Sequence, residues 1–401
     1  MKQREITHLA RRLGLGLFVF YGVGVMVGAG IYVLIGEVAA LVGPWAPLAF
    51  ALAGVVAALT ATSFAELSSR LPESAGEAAY VREAFERPWF STLVGLAVAA
   101  VGVASAAAVL QGGAGYLAAL APLPKSVLVV LLGLTLGFVS ALGVEKALLV
   151  AAVFTALEVL GLVIVGGAAF SAPANEAVQT FESAPYAALP SAAFLAFFAF
   201  LGFEDMVNMA EEVKRPLVTL PRGIFLALGI TVAIYALVSW AATRAVPGAE
   251  LGASDRPLAL VYERATGGSS TLIDAIAVTA AVNGVVAQIV MTARVLYGLG
   301  GRVSWLRVFR RVYPATHTPI RATAFATVLV LALALTTALA TLAAISAFIL
   351  LIIFAVVNLA LIALKRRGPP PEGAFAAPGW TPWAGFVCSV AMCLGELVRL
   401  G

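Results

Sequence analysis

The groups best suited to do chemistry in this chain are carboxylates set among apolar residues. Glu158 stands in "VFTALEVLGLVIVGG" with no basic neighbour in sequence, and Glu204 and Asp205 come just after Gly202 in "FLAFFAFLGFEDMVNMAEEVKRP". Ionisable groups inside apolar segments are costly and mark ion or substrate pathways. A third feature belongs to the backbone: "FYGVGVMVGAGIYVLIG", Phe20 to Gly36, carries glycines at 22, 24, 28, 30 and 36. Each glycine weakens a helix by roughly 1 kcal/mol relative to alanine.

Three explanations fit so many glycines. A dinucleotide fingerprint needs a preceding strand and the G-x-G-x-x-G spacing, whereas this stretch reads G-x-G-x-x-x-G. Gly24 and Gly28 could form a helix-packing face, where small residues let helices approach closely. The third explanation is a broken helix at Gly28-Ala29-Gly30, whose freed amides face an anion with the positive end of the next half-helix behind them. Non-helical backbone at that depth must be buried in protein or line a cavity. The break at Gly202, followed by two acids, is a matching interruption. Interrupted helices at corresponding places in two halves are a signature of inverted-repeat transporters. The pair therefore favours the broken-helix reading over packing alone.

The elements that hold these groups are membrane helices. The 401 residues are 62% hydrophobic and 11% charged, far below the ~25% charged of soluble domains. Apolar stretches of about 20 residues recur along the whole length, each long enough to span a bilayer. Barrel strands would instead alternate in segments of about ten residues. Eleven spans are expected, at 13–42, 45–69, 89–120, 125–143, 146–170, 190–212, 221–246, 269–300, 320–341, 343–364 and 379–399. The start is too charged, and its first apolar run too long, for a cleaved signal peptide. Basic residues gather in cytoplasmic loops. With the N-terminus inside, 20 of the 25 Lys and Arg fall on the inner side, among them Arg11, Arg12, Lys214, Arg215 and "KRR" at 365–367. The outer segment 171–189 has none, and an odd number of spans puts the C-terminus outside. "RVSWLRVFRRVYP" at 302–314 reads as an amphipathic helix on the inner surface or as a solvated basic loop. Cys388 and Cys393 share the last apolar run, and His8 and His317 lie in polar flanks, so neither a disulfide framework nor a metal cluster is expected.

"GVGVMVGAGIYVLIG" resembles the first-helix motif of the amino acid–polyamine–organocation transporter superfamily, and "FFAFLGFEDMVNMAEEVKRPLVTLPRGI" its sixth helix and inner loop. "SFAELSSRLPESAGEAAYVREAF" and "TARVLYGLG" match its pattern after the second and eighth helices. The likeness covers roughly residues 10 to 395, nearest to prokaryotic relatives of the cationic amino acid transporters. It implies an all-α polytopic LeuT-type fold, with 13–170 and 190–364 as inverted five-helix repeats opening on broken helices 1 and 6. Residues 379–399 are an extra helix of the single domain. Most members have twelve spans against eleven here, which leaves C-terminal topology and oligomeric state open.

By this resemblance a substrate carboxylate would sit on backbone amides around Gly28, Ala29 and Gly30, beside Val27. Its ammonium would meet carbonyls of Phe198, Ala199 and Leu201. Met26, Phe200 and Phe203 would set selectivity, unless they serve as ordinary core. Proton-coupled relatives often carry lysine where this chain has Glu158. A carboxyl group buried in a low-dielectric medium resists ionisation, which suits it to load and release protons near neutral pH. The alternatives are a cation or cationic-substrate site, and a neutral packing residue. Glu204 and Asp205 could meet a basic substrate or cap the second half of helix six; Glu66 and Arg294 could pair as an inner gate or serve as interfacial anchors.

The expectation is a secondary amino acid transporter in the cytoplasmic membrane. Protons are the first choice of coupling ion with sodium left open, and no other cofactor, metal or nucleic-acid partner is expected. Exchange of amino acids or amines, and polyamine or cationic amino acid transport, are the alternatives within transport. No HExxH, no GxSxG and no histidine inside a span argue against an enzyme. A membrane sensor or scaffold usually carries a soluble domain, and none is read here.

Overall fold

A computed structural model describes residues 13–71, 76–142, 147–173, 186–210, 212–313, 316 and 318–400. His8, His317, Arg11, Arg12 and residues 174–185 of the outer segment lie outside the described residues. The described chain is helical, with two isolated backbone bridges. In order it forms α1 (Leu15–Val27), α2 (Ala29–Val42), α3 (Ala46–Arg70), α4 (Gly76–Phe85), α5 (Pro88–Leu120), α6 (Lys125–Leu142), α7 (Ala147–Ser171) and α8 (Leu189–Phe197). Then come α9 (Pro216–Ala245), α10 (Gly248–Ala253), α11 (Pro257–Thr266), α12 (Thr271–Gly300), α13 (Ile320–Thr336), α14 (Leu339–Arg367) and α15 (Thr381–Leu400).

Among the described residues each of the eleven expected segments is mainly helical, with breaks that include Gly28, 201–203 and 337–338. Nine helical runs among the described residues are long and apolar enough to cross a membrane, and Leu15–Val27 and Ile320–Thr336 are shorter apolar helices. One of the nine, residues 30–70, joins two expected spans through a tight turn at Gly43–Trp45. Pro88, Pro216 and Pro257 occupy the first position of their helices, where proline loses no hydrogen bond and its fixed φ suits helix entry. Outward faces carry exposed Phe138, Val163, Leu237 and Val328, an apolar surface that only acyl chains would solvate.

Small residues decide how closely the helices pack. α5 runs along α12, where a side chain at Gly113 would strike Ala281 and one at Gly102 would meet Thr292. α3 is tied to α14 by a buried polar knot: Ser63 Oγ donates to Asn358 Oδ1 at 2.6 Å, and Asn358 Nδ2 donates to Thr60 Oγ1 at 3.0 Å. The segment read as an amphipathic helix or a loop is a short 3-10 turn, Ser304–Arg310. It is anchored by buried Leu306 with Trp305 outside.

Both expected interruptions are present. α1 ends and α2 begins at Gly28 (φ −37°, ψ −159°). The second interruption is more extensive than a kink. α8 tightens into a 3-10 turn at Phe198–Phe200, the chain reverses at Gly202 (φ +119°), and Glu204–Met209 continues as 3-10 rather than α-helix. Glu204 Oε2 accepts the Gly202 N–H at 2.9 Å, a local bond that holds the bend between the two 3-10 turns. The two interrupted segments also meet at their ends, where Leu13 N donates to Glu212 O at 3.0 Å and Lys214 N to Leu13 O at 2.8 Å.

Candidate functional site

The five glycines of the first motif do different things. A side chain at Gly24 would collide with Thr155 of α7, one at Gly22 with Met206, and one at Gly36 with the Leu251 carbonyl. At Gly30 it would come within 3.1 Å of the Ala199 Cα, so Gly30 lets the start of α2 lie against the second interruption. Gly28 is the exception, with its own helix's carbonyls at 3.8 Å as nearest neighbours. Four of these glycines therefore serve close packing, and Gly28 serves the break.

Tyr235 of α9 ties the two interruptions together. Its hydroxyl lies 2.5 Å from the Met26 carbonyl and 2.8 Å from the Ala199 carbonyl, the last turns of α1 and of the α8 extension. It thus covers part of the carbonyl surface that the sequence assigned to a substrate ammonium. Met26, Val27, Phe198, Ala199, Phe200 and Leu201 are all buried around this point. Phe200 packs edge-on against Tyr235 at 5.1 Å. Phe203 belongs to a separate aromatic cluster with Phe64 (5.7 Å) and Phe354 (5.1 Å), which is core packing. Around the break at Gly28, the first N–H groups of α2, from Ala29 onward, have no partner one turn back along the helix.

Glu158 is fully buried. Its Oε1 accepts Asn283 Nδ2 from α12 at 3.2 Å, and Oε2 has no partner among the described residues. Its backbone carbonyl accepts the Tyr32 hydroxyl of α2 at 2.6 Å. A carboxyl group on α7 is thereby linked to α2 and α12, with Thr155 one turn earlier against Gly24 of α1.

The remaining acids separate. Glu66 takes Arg70 (2.7 Å) and Lys365 (2.7 Å) as ion-pair partners and accepts the Ala377 N–H at 2.7 Å. It joins α3 to the end of α14 rather than to Arg294. Arg294 is exposed and, with Asp205 and Glu212, is within electrostatic reach of Tyr21. On the opposite face of the fold, between α5, α11 and the start of α12, a groove of about 510 Å³ is lined by Asp255, Arg256, Glu263 and Asp274 among others. Arg256 Nη1 bridges Glu263 (2.8 Å), Ser270 (2.8 Å) and Asp274 (3.3 Å) there, and Lys125 pairs with Asp255 at 2.5 Å. These contacts fasten α10–α11 over α2, which α10 approaches at Gly248 and Gly252.

Glu77 of α4 is buried within electrostatic reach of Glu204 and Asp205. Burial pushes its carboxyl up to about 7, its own backbone N–H opposes the rise, and the Asp205 charge adds to it. A folded-state value above the ordinary 4.5 means that the folded protein binds this proton more tightly than the unfolded chain. The stabilisation is full below about pH 4.5 and is lost as pH rises to about 7, a swing on the order of 3 kcal/mol. Glu77→Gln should flatten the pH dependence of thermal unfolding in detergent and raise the melting temperature at pH 8. An unchanged profile would show that another group sets it.

Sequence reasoning passed over Tyr235, Asn283 and Tyr32. Asn283 carried a usable signal, a side-chain amide in the apolar run "AAVNGVVAQIV", since polar residues inside a span rarely face lipid. The tyrosines carried none, because four of the eleven expected spans hold one or more.

A family model described as an amino acid permease matches residues 15–397. The chain belongs to the amino acid permease family. It is a multi-pass membrane transporter of the amino acid–polyamine–organocation superfamily and not an enzyme. The permease is 27% identical to the branched-chain amino acid permease BcaP of Bacillus subtilis, over 98% of this chain and 89% of that protein. It is 28% identical to the methylthioribose transporter of the same organism, over 99% and 90%. Mouse cationic amino acid transporter 4 is 28% identical, over 94% of this chain and 63% of its own length.

Proposed function

We propose that this permease is a proton-coupled amino acid symporter of the cytoplasmic membrane, working by alternating access with its N-terminus inside. In this reading residues 13–170 and 190–364 are two inverted five-helix halves of one domain. The substrate carboxylate sits on the amides after Gly28, and its ammonium on the carbonyls of Phe198, Ala199 and Leu201. Tyr235 must yield part of the Ala199 and Met26 carbonyl surface when substrate enters. Glu204 acts as a turn cap, Asp205 and Arg294 lie toward the inner mouth, and Glu66 holds α3 to α14.

The observation that carries proton coupling is Glu158. An isolated charge in a low-dielectric interior is costly unless paired, and among the described residues Glu158 meets one neutral amide and no cation. Taking up a proton removes that charge. The backbone carbonyl of Glu158 accepts the Tyr32 hydroxyl of α2, close in sequence to the substrate break, so the residue that carries the carboxyl group and the substrate site bear on the same helix.

The test is uptake of labelled alanine into liposomes containing the purified protein, under an inward proton gradient, a sodium gradient, or with unlabelled amino acid preloaded. Stimulation by the proton gradient alone is the expected result. Uptake confined to preloaded vesicles would make the protein an exchanger. Leucine, lysine, putrescine and methylthioribose as competitors sort the substrate class, because the named relatives span these chemistries.

A further inference from the structure

We infer that Tyr32 is the positioning residue that transmits substrate binding at the Gly28 break to Glu158. The inference rests on the proton-symport reading and adds a route to it.

Tyr32 lies one helical turn after Gly28, in the first turn of α2, and is fully buried. Its hydroxyl donates to the Glu158 carbonyl at 2.6 Å. The hydroxyl therefore bonds the α7 backbone at the residue that carries the carboxyl group. Side chains that compete for a helix's backbone carbonyls can bend it locally. Gly161 makes the contact possible: a methyl there would run into the Tyr32 hydroxyl and come within 2.8 Å of Ile276.

The other side of Tyr32 is held as firmly. Its carbonyl accepts the Tyr116 hydroxyl of α5 at 2.7 Å, and Tyr116 in turn accepts the Leu258 N–H of α11 at 3.2 Å. The rings of Tyr32 and Tyr116 meet edge-on at 6.5 Å. The α10–α11 cover, α5, α2 and α7 are thus joined by two tyrosines acting on backbone groups.

Substrate seated at the start of α2 cannot shift that helix without moving the hydroxyl on the α7 backbone. When the hydroxyl withdraws, the Glu158 carbonyl is left to its own helix and the turn carrying Glu158 moves relative to Asn283 of α12. When it returns, the present geometry is restored. The titratable groups within electrostatic reach of Glu158 are the hydroxyls of Tyr32 and Tyr235, from α2 and α9. Among the described residues no Lys, Arg, Asp or Glu side chain pairs with it. Displacement of Tyr32 is then the change that alters the carboxyl group's surroundings.

The experiment uses the full chain in liposomes and compares Tyr32→Phe, Gly161→Ala and the double variant with the unaltered protein. Accumulation of labelled alanine under a proton gradient, the pH profile of uptake and the rate of labelled-for-unlabelled exchange are measured. Tyr32→Phe keeps the ring and removes the hydroxyl; Gly161→Ala keeps the hydroxyl and pushes it off the Glu158 carbonyl. Each should lower accumulation by about fivefold to tenfold and shift the pH midpoint of uptake, with exchange within ~3-fold. The double variant should be no worse than either single one, as for residues acting through one contact. Unaltered accumulation and pH profile in Tyr32→Phe would overturn the inference, and so would equal loss of exchange and accumulation in both variants, which marks a purely structural contact. Failure of the unaltered protein to accumulate alanine under a proton gradient would instead remove the symport reading itself.

Discussion

Glu158→Gln is expected to reduce alanine accumulation from about tenfold to about onefold per unit of pH gradient, because one unit supplies ~1.4 kcal/mol per proton at a stoichiometry of one. Glutamine is the informative replacement. Its carbonyl can still accept from Asn283 Nδ2, as Glu158 Oε1 does at 3.2 Å, and its amide fills the place of the unpartnered Oε2. The buried contact survives and the titratable proton does not. Exchange of labelled for unlabelled substrate should continue, since exchange needs no net proton movement. Accumulation equal to that of the unaltered protein would remove Glu158 from coupling and leave it a polar link between α7 and α12. Loss of exchange together with accumulation would assign it to substrate binding or to the fold.

The second large effect separates the glycines that look alike in sequence. Gly202→Ala should cost roughly 2–5 kcal/mol of stability, from backbone strain and overpacking together. Its φ is +119°, and an added methyl would sit 2.6 Å from the Val25 side chain and 3.0 Å from the Val25 carbonyl. The Val25 backbone cannot retreat without dislodging the last turn of α1. Gly28→Ala should leave the melting temperature nearly unchanged, within about 0.5 kcal/mol, as substitutions free of steric conflict usually do. Its methyl meets no other element of the fold within 4 Å. Uptake should nevertheless fall by about 100-fold, the loss of ~2.7 kcal/mol that a methyl between substrate carboxylate and backbone amides can inflict. Thermal melting in detergent and liposome uptake, run on both variants, decide the matter. A Gly28→Ala protein that transports normally would move the carboxylate site away from this break.

Much of the architecture is legible without coordinates, because a bilayer imposes simple rules. Spans must be about 20 apolar residues long and basic residues collect on one side, so the apolar helices were readable from hydropathy, nine of them among the described residues long enough to cross a membrane, and both interruptions from glycines and acids at membrane depth. The acid two residues after Gly202 was legible as a cap or a substrate contact; that it bonds back to the Gly202 N–H was not.

What sequence could not settle is which neighbour each residue meets, since that depends on helices far apart in the chain. Four of the five glycines in Phe20–Gly36 turn out to answer to Met206, Thr155, Ala199 and Leu251, and spacing within one helix carries no information about those partners. Glu66 reads as a candidate partner for Arg294, but the folded chain brings Lys365 to it across 299 positions instead. The hydroxyls of Tyr32, Tyr116 and Tyr235, each on a backbone carbonyl of another helix, were invisible for the same reason: a hydroxyl's role is set by the carbonyl it reaches. The sequence by itself determined the solvent, the spans, the interruptions and the buried carboxyl group, all of which follow from local composition and the cost of polar groups in lipid. Tertiary packing alone decided that Gly28 stands open, that Tyr235 closes over both breaks, and that Glu158 is joined to α2 and α12.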